Sequence, residues 1–338
     1  MRNSRNELIS PLQTNICLMS KILVIGAGGQ LGTELTKALV NKHGKEAVLA
    51  TDFQEAARSK FDYCRFETLN IMDKEALSSI VQAEKITIIY HLAAILSAMG
   101  EKNPVQAWDL NMGGLLNVLE VARDHKIEKL FWPSSIAVFG PHSDKELTPQ
   151  KAFKDPNTVY GISKLAGEHW CEYYFNKYGV DVRSVRYPGL IGYKSLAGGG
   201  TTDYAVDIYH KAFTEKNYEC FLTENTYLPM MYMEDAIQAT LQLMDAPKEK
   251  ISIRTSYNIS GMSFSPNEIH QSLLEYFPEF TISYAPDFRQ QIADSWPKSI
   301  DDRDAQQDWN WKPAYDLSKM TAAIVQNLPL YFNYNAIK

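Results

Sequence analysis

The chain of 338 residues is long enough for one large α/β unit or for two domains, with a substantial buried core. Its 45% apolar residues and formal net charge of −6 exclude the strongly basic composition that nucleic acid or an anionic membrane surface attracts. No segment approaches the roughly twenty consecutive apolar residues of a membrane span. We therefore expect neither a nucleic-acid nor a membrane partner.

The cysteines and histidines are scattered along the chain. Cys17, Cys64, Cys171 and Cys220 show no C-x-x-C spacing, which favours packing roles in a reducing compartment. The histidines show neither H-x-x-x-H nor H-E-x-x-H spacing, so we expect no metal. Residues 1–18 are polar and irregular and do not form a secretory signal. We expect this tail to be disordered or to follow from an upstream translation start, and the cytoplasm to be the location; an organelle transit peptide is the alternative.

The first predicted element is an apolar strand at residues 22–25, followed by a glycine-rich turn. Gly26, Gly29 and Gly32 have the spacing G-x-x-G-x-x-G, whereas G-x-G-x-x-G fails because Leu31 stands at the third glycine position. Residues 30–40 then have the amphipathic pattern of a helix. Strand, glycine turn and helix together are typical of a site where a pyrophosphate approaches the backbone and a helix N-terminus. The alternative is a tight strand-to-helix turn without a ligand.

A carboxylate ends the second predicted strand, which spans residues 47–52. Asp52 follows the last glycine by about twenty residues, where the acceptor for a ribose hydroxyl belongs. Its charge would repel a 2′-phosphate and no Arg follows it directly, so the sequence favours NAD over NADP. The alternative is that Asp52 only caps the segment after it.

Two further strand ends offer cofactor contacts. A short strand ending near residue 70 places Asn70 and Ile71 at the expected adenine edge of a doubly wound sheet. The strand predicted over residues 86–94 ends in Leu92, Ala93 and Ala94, and the small alanines leave room for a flat cofactor. Both predictions follow from the rule that ligands bind at the carboxyl ends of parallel strands.

Polar residues continue along the same expected edge. Ser97 follows the strand at 86–94 and could touch substrate, although an N-cap or turn role is the alternative. Asn111 lies near the start of a helix predicted over residues 108–123. A strand predicted over residues 129–140 carries Ser134 and Ser135, whose hydroxyls could orient a substrate oxygen or cap turns.

Tyr160 and Lys164 form a Y-x-x-x-K pair that opens a helix predicted over residues 160–174. Residues four apart share one helix face, which brings the phenol and the ammonium together. A phenol with a pKa of about 10 is a poor base at neutral pH, and a neighbouring cation favours the phenolate. Such a pair can also be an ordinary surface contact, but here it follows a nucleotide-type turn and a serine-bearing strand in chain order.

From about residue 19 to the end, the chain resembles the extended short-chain dehydrogenase/reductase superfamily. The resemblance rests on the glycine spacing, the strand end His91-Leu-Ala-Ala94, Ser135 before Val-Phe-Gly140, and Tyr160 with Lys164. It implies an α/β fold with a Rossmann-type doubly wound parallel sheet and bound NAD. It implies that Tyr160 is the acid/base, that Lys164 binds the nicotinamide ribose and lowers the tyrosine pKa, and that Ser135 orients the reacting oxygen.

The same resemblance implies several supporting roles. Asn111 would support a proton-relay water, and Gln30, Leu31 and Tyr187 are further expected cofactor contacts. Homodimers through the two long helices, here residues 108–123 and 160–174, are usual in the superfamily.

The substrate class depends on three other stretches. Nucleotide-sugar members usually carry an Asn that holds the diphosphate, and its position here is occupied by Gly189 in Arg186-Tyr-Pro-Gly189. The stretches Gly198-Gly-Gly-Thr-Thr-Asp-Tyr-Ala and Ser295-Trp-Pro-Lys-Ser-Ile-Asp-Asp, with the segment around Ser97, are similar to the branch that contains epimerase-like L-threonine 3-dehydrogenases. That similarity implies NAD-dependent oxidation of L-threonine at C3 to L-2-amino-3-oxobutanoate, a step of threonine catabolism.

In this interpretation the substrate contacts come from both halves of the chain. The glycine run offers N–H groups suited to a carboxylate. With it, Ser97, Gly200 and Thr201 would hold the amino-acid carboxylate and amine, beside Ser135 and Tyr160 at the reacting oxygen. Trp296 would close the pocket over the substrate.

The predicted domain organisation is discontinuous. Residues 227–238 read as a strand and helix that return to the first domain, so we expect an NAD-binding Rossmann domain at 19–190 and 227–250. A smaller α/β substrate-binding domain would comprise residues 191–226 and 251–338. The alternatives to a threonine dehydrogenase are a nucleotide-sugar epimerase or dehydratase of the same superfamily, and a catalytically silent NAD-sensing regulator.

Overall fold

The computed structural model describes residues 20–336, and the tail predicted at residues 1–18, with Cys17, lies outside the described residues. The strands of the described chain are, in order, β1 (Ile22–Ile25), β2 (Val48–Asp52), β3 (Arg65–Thr68), β4 (Ile88–His91), β5 (Lys129–Phe131), β6 (Ser134–Ser135), β7 (Val182–Arg183), β8 (Val185–Tyr187), β9 (Gly189–Ile191), β10 (Asn217–Cys220), β11 (Leu228–Tyr232), β12 (Tyr257–Asn258), β13 (Met262–Phe264) and β14 (Thr281–Tyr284).

The helices alternate with these strands through the first half of the chain, as βαβ units require. They are α1 (Gln30–His43), α2 (Lys74–Glu84), α3 (Ser97–Gly100), α4 (Pro104–Asp124), α5 (Val159–Tyr178), α6 (Tyr204–Thr214), α7 (Met233–Asp245), α8 (Pro266–Leu274), α9 (Arg289–Ser295), α10 (Arg303–Trp309) and α11 (Leu317–Ala336). No described helix is long and apolar enough to cross a membrane.

A six-stranded parallel sheet forms the centre of the first half, in the order β3-β2-β1-β4-β5-β7. β1 lies at its middle, with Ile22 paired to Val48 on one side and to Ile88 on the other. All four β1 residues are buried because helices cover both faces of the sheet. The predicted α/β fold with a Rossmann-type doubly wound sheet is confirmed.

The two faces of the sheet have separate hydrophobic clusters. On one face, Leu35 of α1 and Leu243 of α7 pack with residues of β1 and β2. On the other, Leu77 of α2, Leu115 of α4 and Cys171 of α5 pack together. The chain order changes direction at β1, so the carboxyl ends of β1 and β4 border an open crevice where ligands bind in such sheets.

A third cluster lies beyond this sheet. It joins α6, α8 and α11 with the three-stranded sheet β13-β11-β9 and with residues 136–139. It draws on both segments predicted for the substrate-binding domain, 191–226 and 251–338. The boundaries of that domain remain a prediction.

The strand predicted over residues 129–140 is wrong in its length. β5 ends at Phe131, and β6 begins three residues later in a different small sheet, β12-β8-β6. Pro133 has no N–H to donate to a ladder and separates the two strands. After Ser135 the chain turns into a short 3₁₀ helix, Ile136–Val138. The break redirects both serines relative to the main sheet.

Candidate active site

A cavity of about 250 Å³ lies at the carboxyl ends of β1, β4 and β8, between the parallel sheet and the third cluster. The residues predicted for the site that line it are Gly26, Gly29, Gln30, Leu31, Gly32, Leu92, Ala94, Ser97, Ser135, Tyr160, Lys164, Tyr187, Gly200, Thr201 and Trp296. Five predicted residues do not line it: Asp52, Asn70, Ile71, Ala93 and Asn111. The functional roles of all these residues remain predictions.

The glycine turn is shaped by two close backbone contacts. Gly26 has a φ of +78°, and a Cβ there would lie 2.6 Å from the Ala93 nitrogen. A Cβ on Gly32 would lie 2.4 Å from the Gly26 carbonyl oxygen. Neither position accepts a side chain, because the turn packs against β4 and against itself.

Gly29 differs from Gly26 and Gly32, because no contact with another protein atom requires a glycine at this position. A Cβ at this exposed position would meet only the Gly26 oxygen, at 3.6 Å, and no side chain caps α1, whose N-cap is Gly29. The first turn of a 14-residue helix therefore presents uncapped N–H groups to the cavity. A dinucleotide pyrophosphate fits this arrangement, since it needs both the free donors and the bare backbone.

The Asp52 carboxylate holds the glycine turn in place. Its carboxylate accepts hydrogen bonds from Gly28 N–H at 2.9 Å and from Gln54 N–H at 3.1 Å. A Cβ on Gly28 would lie 2.8 Å from an Asp52 oxygen, so this unpredicted glycine is needed for the contact. Asp52 thus makes local backbone contacts, and its role toward a ribose stays a prediction.

The residues predicted at the adenine edge lie outside the described cavity. The Asn70 side chain accepts from Met72 N–H at 3.0 Å, and Ile71 is buried under α4. Ala93 contributes its backbone against Gly26 rather than a surface of the cavity. The cofactor contacts of these three residues stay predictions.

Ser135, Tyr160 and Lys164 meet at one wall of the cavity. Tyr160 is the second residue of α5, and its phenol lies close enough to Ser135 for that side chain to lower the Tyr160 pKa. Ser135 Oγ also accepts from Ala137 N–H at 3.2 Å, which caps the 3₁₀ helix. Lys164 follows one helical turn later, and its Nζ donates to the Pro133 carbonyl oxygen at 2.6 Å.

Burial controls the charge of this group. It raises the pKa of Tyr160 to about 12, and the Ser135 hydrogen bond only partly opposes it. It lowers the pKa of Lys164 to about 7, opposed by Cys171 and Glu168. The resemblance implied that Lys164 lowers the tyrosine pKa, but in this structure burial raises that pKa and the side chain that lowers it is Ser135. The ammonium points at Pro133 and lies 5.5 Å from the centre of the Tyr160 ring.

Asn111 holds the loop after β4 in place. Its Oδ1 accepts from Ile95 N–H at 2.8 Å and its Nδ2 donates to the Ile95 carbonyl oxygen at 3.1 Å. The same amide contacts Ser163 Oγ at 3.4 Å. The side-chain donors and acceptor are therefore occupied by protein, and Asn111 fixes the chain that leads to Ser97.

The substrate side of the cavity is formed by two loops that meet. Ser97 Oγ and Thr201 Oγ1 lie 3.4 Å apart, and both residues are buried. Ser97 is the first residue of the one-turn helix α3, whose N-cap is Leu96, so the N-cap alternative for Ser97 does not hold. The expectation of free N–H groups in the glycine run is wrong for Gly199 and Gly200, because both donate to Asp203 at 2.6 Å.

Sequence reasoning missed part of the lining. Several of these residues follow β8, namely Pro188, Gly189 and Leu190, and the strand-end rule would have found them. Others are Leu96, Pro133, Ile136, Thr202 and Asp203, and Ser134, which the sequence offered beside Ser135, also lines the cavity. Pro133 and Ile136 were not predicted because residues 129–140 were interpreted as one continuous strand. No local sequence pattern identifies Asp203 as a residue of the cavity.

A buried ion pair stabilises the cavity wall that Ser135, Tyr160 and Lys164 form. Glu168 of α5 is fully buried and accepts from Arg186 at 2.7 and 2.8 Å. It also accepts from Ser134 Oγ at 2.7 Å. Arg186 donates onward to the Gln150 carbonyl oxygen at 3.0 Å. The pair fixes β6 and β8 to the helix that carries Tyr160.

A doubly wound parallel sheet, a glycine turn before α1 and a Ser–Tyr–Lys group on the same cavity define an NAD-dependent oxidoreductase of the extended short-chain type. Residues 22–260 match the sequence model of the NAD dependent epimerase/dehydratase family, and the chain belongs to that family. NAD is its cofactor. No cluster of three or more potential metal ligands occurs among residues 20–336.

Relatives of known structure carry a more specific activity in their names. The chain is 54% identical to a GalE-like L-threonine dehydrogenase of Cupriavidus necator in its holo form, with a TM-score of 0.89 over 91% of this chain and 99% of that one. It is 51% identical to a monomeric L-threonine 3-dehydrogenase from a metagenome, with a TM-score of 0.88 over 91% and 98%. It is also 49% identical to an uncharacterised epimerase/dehydratase of Staphylococcus saprophyticus, over 91% of this chain and 96% of the relative.

Proposed function

We propose that this protein oxidises L-threonine at C3 to L-2-amino-3-oxobutanoate. The observation that carries the proposal is that Thr201 and Trp296, from the two substrate-type stretches, border the same cavity as Ser135, Tyr160 and Lys164. The threonine dehydrogenase names of solved relatives at 51% and 54% identity support it.

The chemistry divides between the cofactor and the chain. When bound, NAD supplies the hydride acceptor for C3. Tyr160 as phenolate takes the proton of the threonine hydroxyl, and Ser135 donates a hydrogen bond to the same oxygen. Lys164 in its protonated form favours the phenolate. Asn111 acts indirectly, because it fixes the Ile95 backbone and so the position of Ser97.

The remaining residues hold the substrate and exclude water. The Ser97 and Thr201 hydroxyls lie side by side and can donate to a carboxylate. Trp296 is 6% exposed and covers one side of the cavity with an apolar ring. A dry cavity strengthens each hydrogen bond made to the reacting oxygen.

A nucleotide-sugar substrate is the alternative, and the surroundings of Gly189 argue against it. A Cβ at Gly189 would lie 2.4 Å from Met230 Sδ and 2.7 Å from Thr202 Cγ2. The space that an asparagine would need for a diphosphate contact is thus filled by the chain itself. The packing favours a small substrate over a large one.

The test is a spectrophotometric assay with purified protein and NAD. L-threonine should produce NADH absorbance, whereas D-threonine, L-allo-threonine and UDP-galactose should not. The Tyr160→Phe variant serves as the control for contaminating dehydrogenases. Silence with L-threonine would refute the proposal, and an epimerised sugar product in the UDP-galactose reaction would put the alternative in its place.

We further propose that the protein acts in threonine catabolism in the cytoplasm and forms a homodimer through α4 and α5. The dimer proposal rests on exposed apolar side chains along these two helices, including Val105 at 72% and Ile162 at 46% exposure. One solved relative is described as monomeric, so the assembly state needs its own measurement.

A further inference from the structure

We propose that Asp203 is the counter-charge for the ammonium group of the substrate and so selects an α-amino acid over a neutral hydroxy acid. The inference rests on the proposed function, since it assumes a substrate of the threonine type. Asp203 is absent from the residues that the sequence predicted for the site.

Asp203 supplies a carboxylate to the lining of the cavity. Among the described residues that line it, the charged side chains are Lys164 and Asp203. Lys164 belongs to the catalytic wall and donates to Pro133. An amino-acid ammonium that enters this cavity therefore finds its negative partner at Asp203.

The carboxylate is held in place but has no cationic partner. Gly199 and Gly200 donate to it at 2.6 Å each, which fixes its orientation at the start of α6. Within residues 20–336 no Lys, Arg or His lies within ion-pair distance of it. The nearby Arg289 pairs instead with Asp287 at 2.7 Å and lies over the Phe221 ring. Burial raises the pKa of Asp203, and the N–H groups of the glycine run and the charge of Arg289 oppose this shift only in part.

The residues around Asp203 can bind the two charged groups of the substrate separately. Ser97 and Thr201 offer hydroxyl donors, which suit the carboxylate of an amino acid, and Asp203 offers an acceptor, which suits its ammonium. Thr201 and Asp203 lie two residues apart in one loop, so one segment of the chain can bind both charged groups of the substrate. A neutral analogue would cover the half-buried Asp203 carboxylate without supplying a positive charge, which disfavours its binding.

The test compares two substrates in two variants. L-threonine is paired with the 2,3-dihydroxybutanoate of matching configuration, in which a hydroxyl replaces the ammonium. Asp203→Asn keeps an acceptor oxygen for the glycine N–H groups but removes the charge. Asp207→Asn is the matched control, because Asp207 lies one turn further along α6, is half-buried and does not line the cavity.

We expect Asp203→Asn to lower kcat/KM for L-threonine by about tenfold or more, mainly through KM, as for the loss of a charged hydrogen bond. Its kcat/KM for dihydroxybutanoate should stay level or rise, so the preference of the wild type for threonine shrinks. Asp207→Asn should keep the wild-type preference. Equal losses on both substrates would overturn the inference and leave Asp203 a loop anchor only.

Two further outcomes are separable. Wild-type protein without activity on L-threonine would refute the proposed function itself. If Asp203→Asn does not fold, judged by thermal unfolding and by fluorescence titration with NADH, the wild type still decides. A wild type that oxidises threonine and dihydroxybutanoate with similar kcat/KM would overturn the role of Asp203.

Discussion

Tyr160 and Lys164 show that a catalytic pair is defined by its surroundings as much as by its spacing. Both lie in a buried wall where charged forms are disfavoured, so the phenol has a raised pKa and the amine a lowered one. The Ser135 side chain lowers the Tyr160 pKa and so favours the phenolate. The base is thus scarce near neutral pH and becomes available as pH rises.

Substitution of Tyr160 by Phe tests this role. We expect kcat to fall by about 10²–10⁴-fold, the usual contribution of a positioned acid/base, with little change in NADH affinity. The wild-type rate should increase with pH, because more Tyr160 is ionised as the pH approaches its pKa of about 12, and Tyr160→Phe should lose this limb. The increase should be less than tenfold per pH unit, because Lys164, whose pKa is about 7, loses its charge over the same range. Steady-state rates from pH 7 to 10 and a fluorescence titration with NADH measure both.

Tyr178→Phe is the control for this experiment, because Tyr178 ends the same helix, is 41% exposed and does not line the cavity. It should keep the wild-type rate and pH profile. A Tyr160→Phe rate within a few-fold of wild type would contradict the mechanism.

At the scale of elements, local patterns predicted most of the framework. The strand at Ile22–Ile25 has the predicted bounds, and α1 and α5 start within one residue of the predicted positions. Hydrophobic period and glycine spacing are local signals, so a sequence carries them directly. The glycine turn predicted Gly26, the Y-x-x-x-K pair predicted Tyr160, and the resemblance implied Thr201, and all three residues line one cavity.

The sequence did not predict several side-chain contacts, some of which join distant segments. Pro133 breaks the predicted strand and turns Ser134 toward Glu168, 34 residues away in sequence. The Asn111 side chain is occupied by Ile95, and the glycine run is occupied by Asp203. No local pattern indicates which donor a side chain will meet, so these contacts could not be read from the sequence.

The Glu168–Arg186 pair joins α5 to β8, and its removal should destabilise the fold. Glu168→Ala leaves the Arg186 guanidinium, which is 1% exposed, without its carboxylate. Breaking a buried pair by removing one partner costs about 3–5 kcal/mol. We expect a drop of that size in the free energy of unfolding, measured by urea denaturation with intrinsic fluorescence.

The exposed pair of Lys211 and Glu215 on the α6 side provides the comparison, because solvent screens it. Glu215→Ala should leave the denaturation midpoint almost unchanged. If Glu168→Ala were as stable as Glu215→Ala, the ion pair would not support the catalytic wall.

For the whole molecule, the three hydrophobic clusters place the cavity where the sheet crevice meets the third cluster. The outer surface of the first half of the chain carries large aromatic side chains that are partly exposed to solvent. Trp108 on α4 and Trp170 on α5 are each 38% exposed, and Tyr173 is 42% exposed. α4 and α5 pack beside each other, so these rings belong to one side of the protein. Aromatic residues are enriched where protein surfaces meet.

This surface gives the last prediction, that the protein is a dimer in solution and that α5 forms part of the contact. Light scattering after gel filtration should give twice the mass of the chain, and Ile162→Glu with Trp170→Glu should reduce it to a monomer, because two buried charges would face their own copies across a two-fold axis. Leu330→Glu is the matched control: Leu330 is 66% exposed on α11, away from α4 and α5, and its variant should remain a dimer. A wild-type monomer at micromolar concentration would contradict the prediction and would group this protein with its monomeric relative. A wild-type dimer that persists in the double variant would locate the contact on another surface, and the exposed rings of α4 and α5 would then need a different explanation.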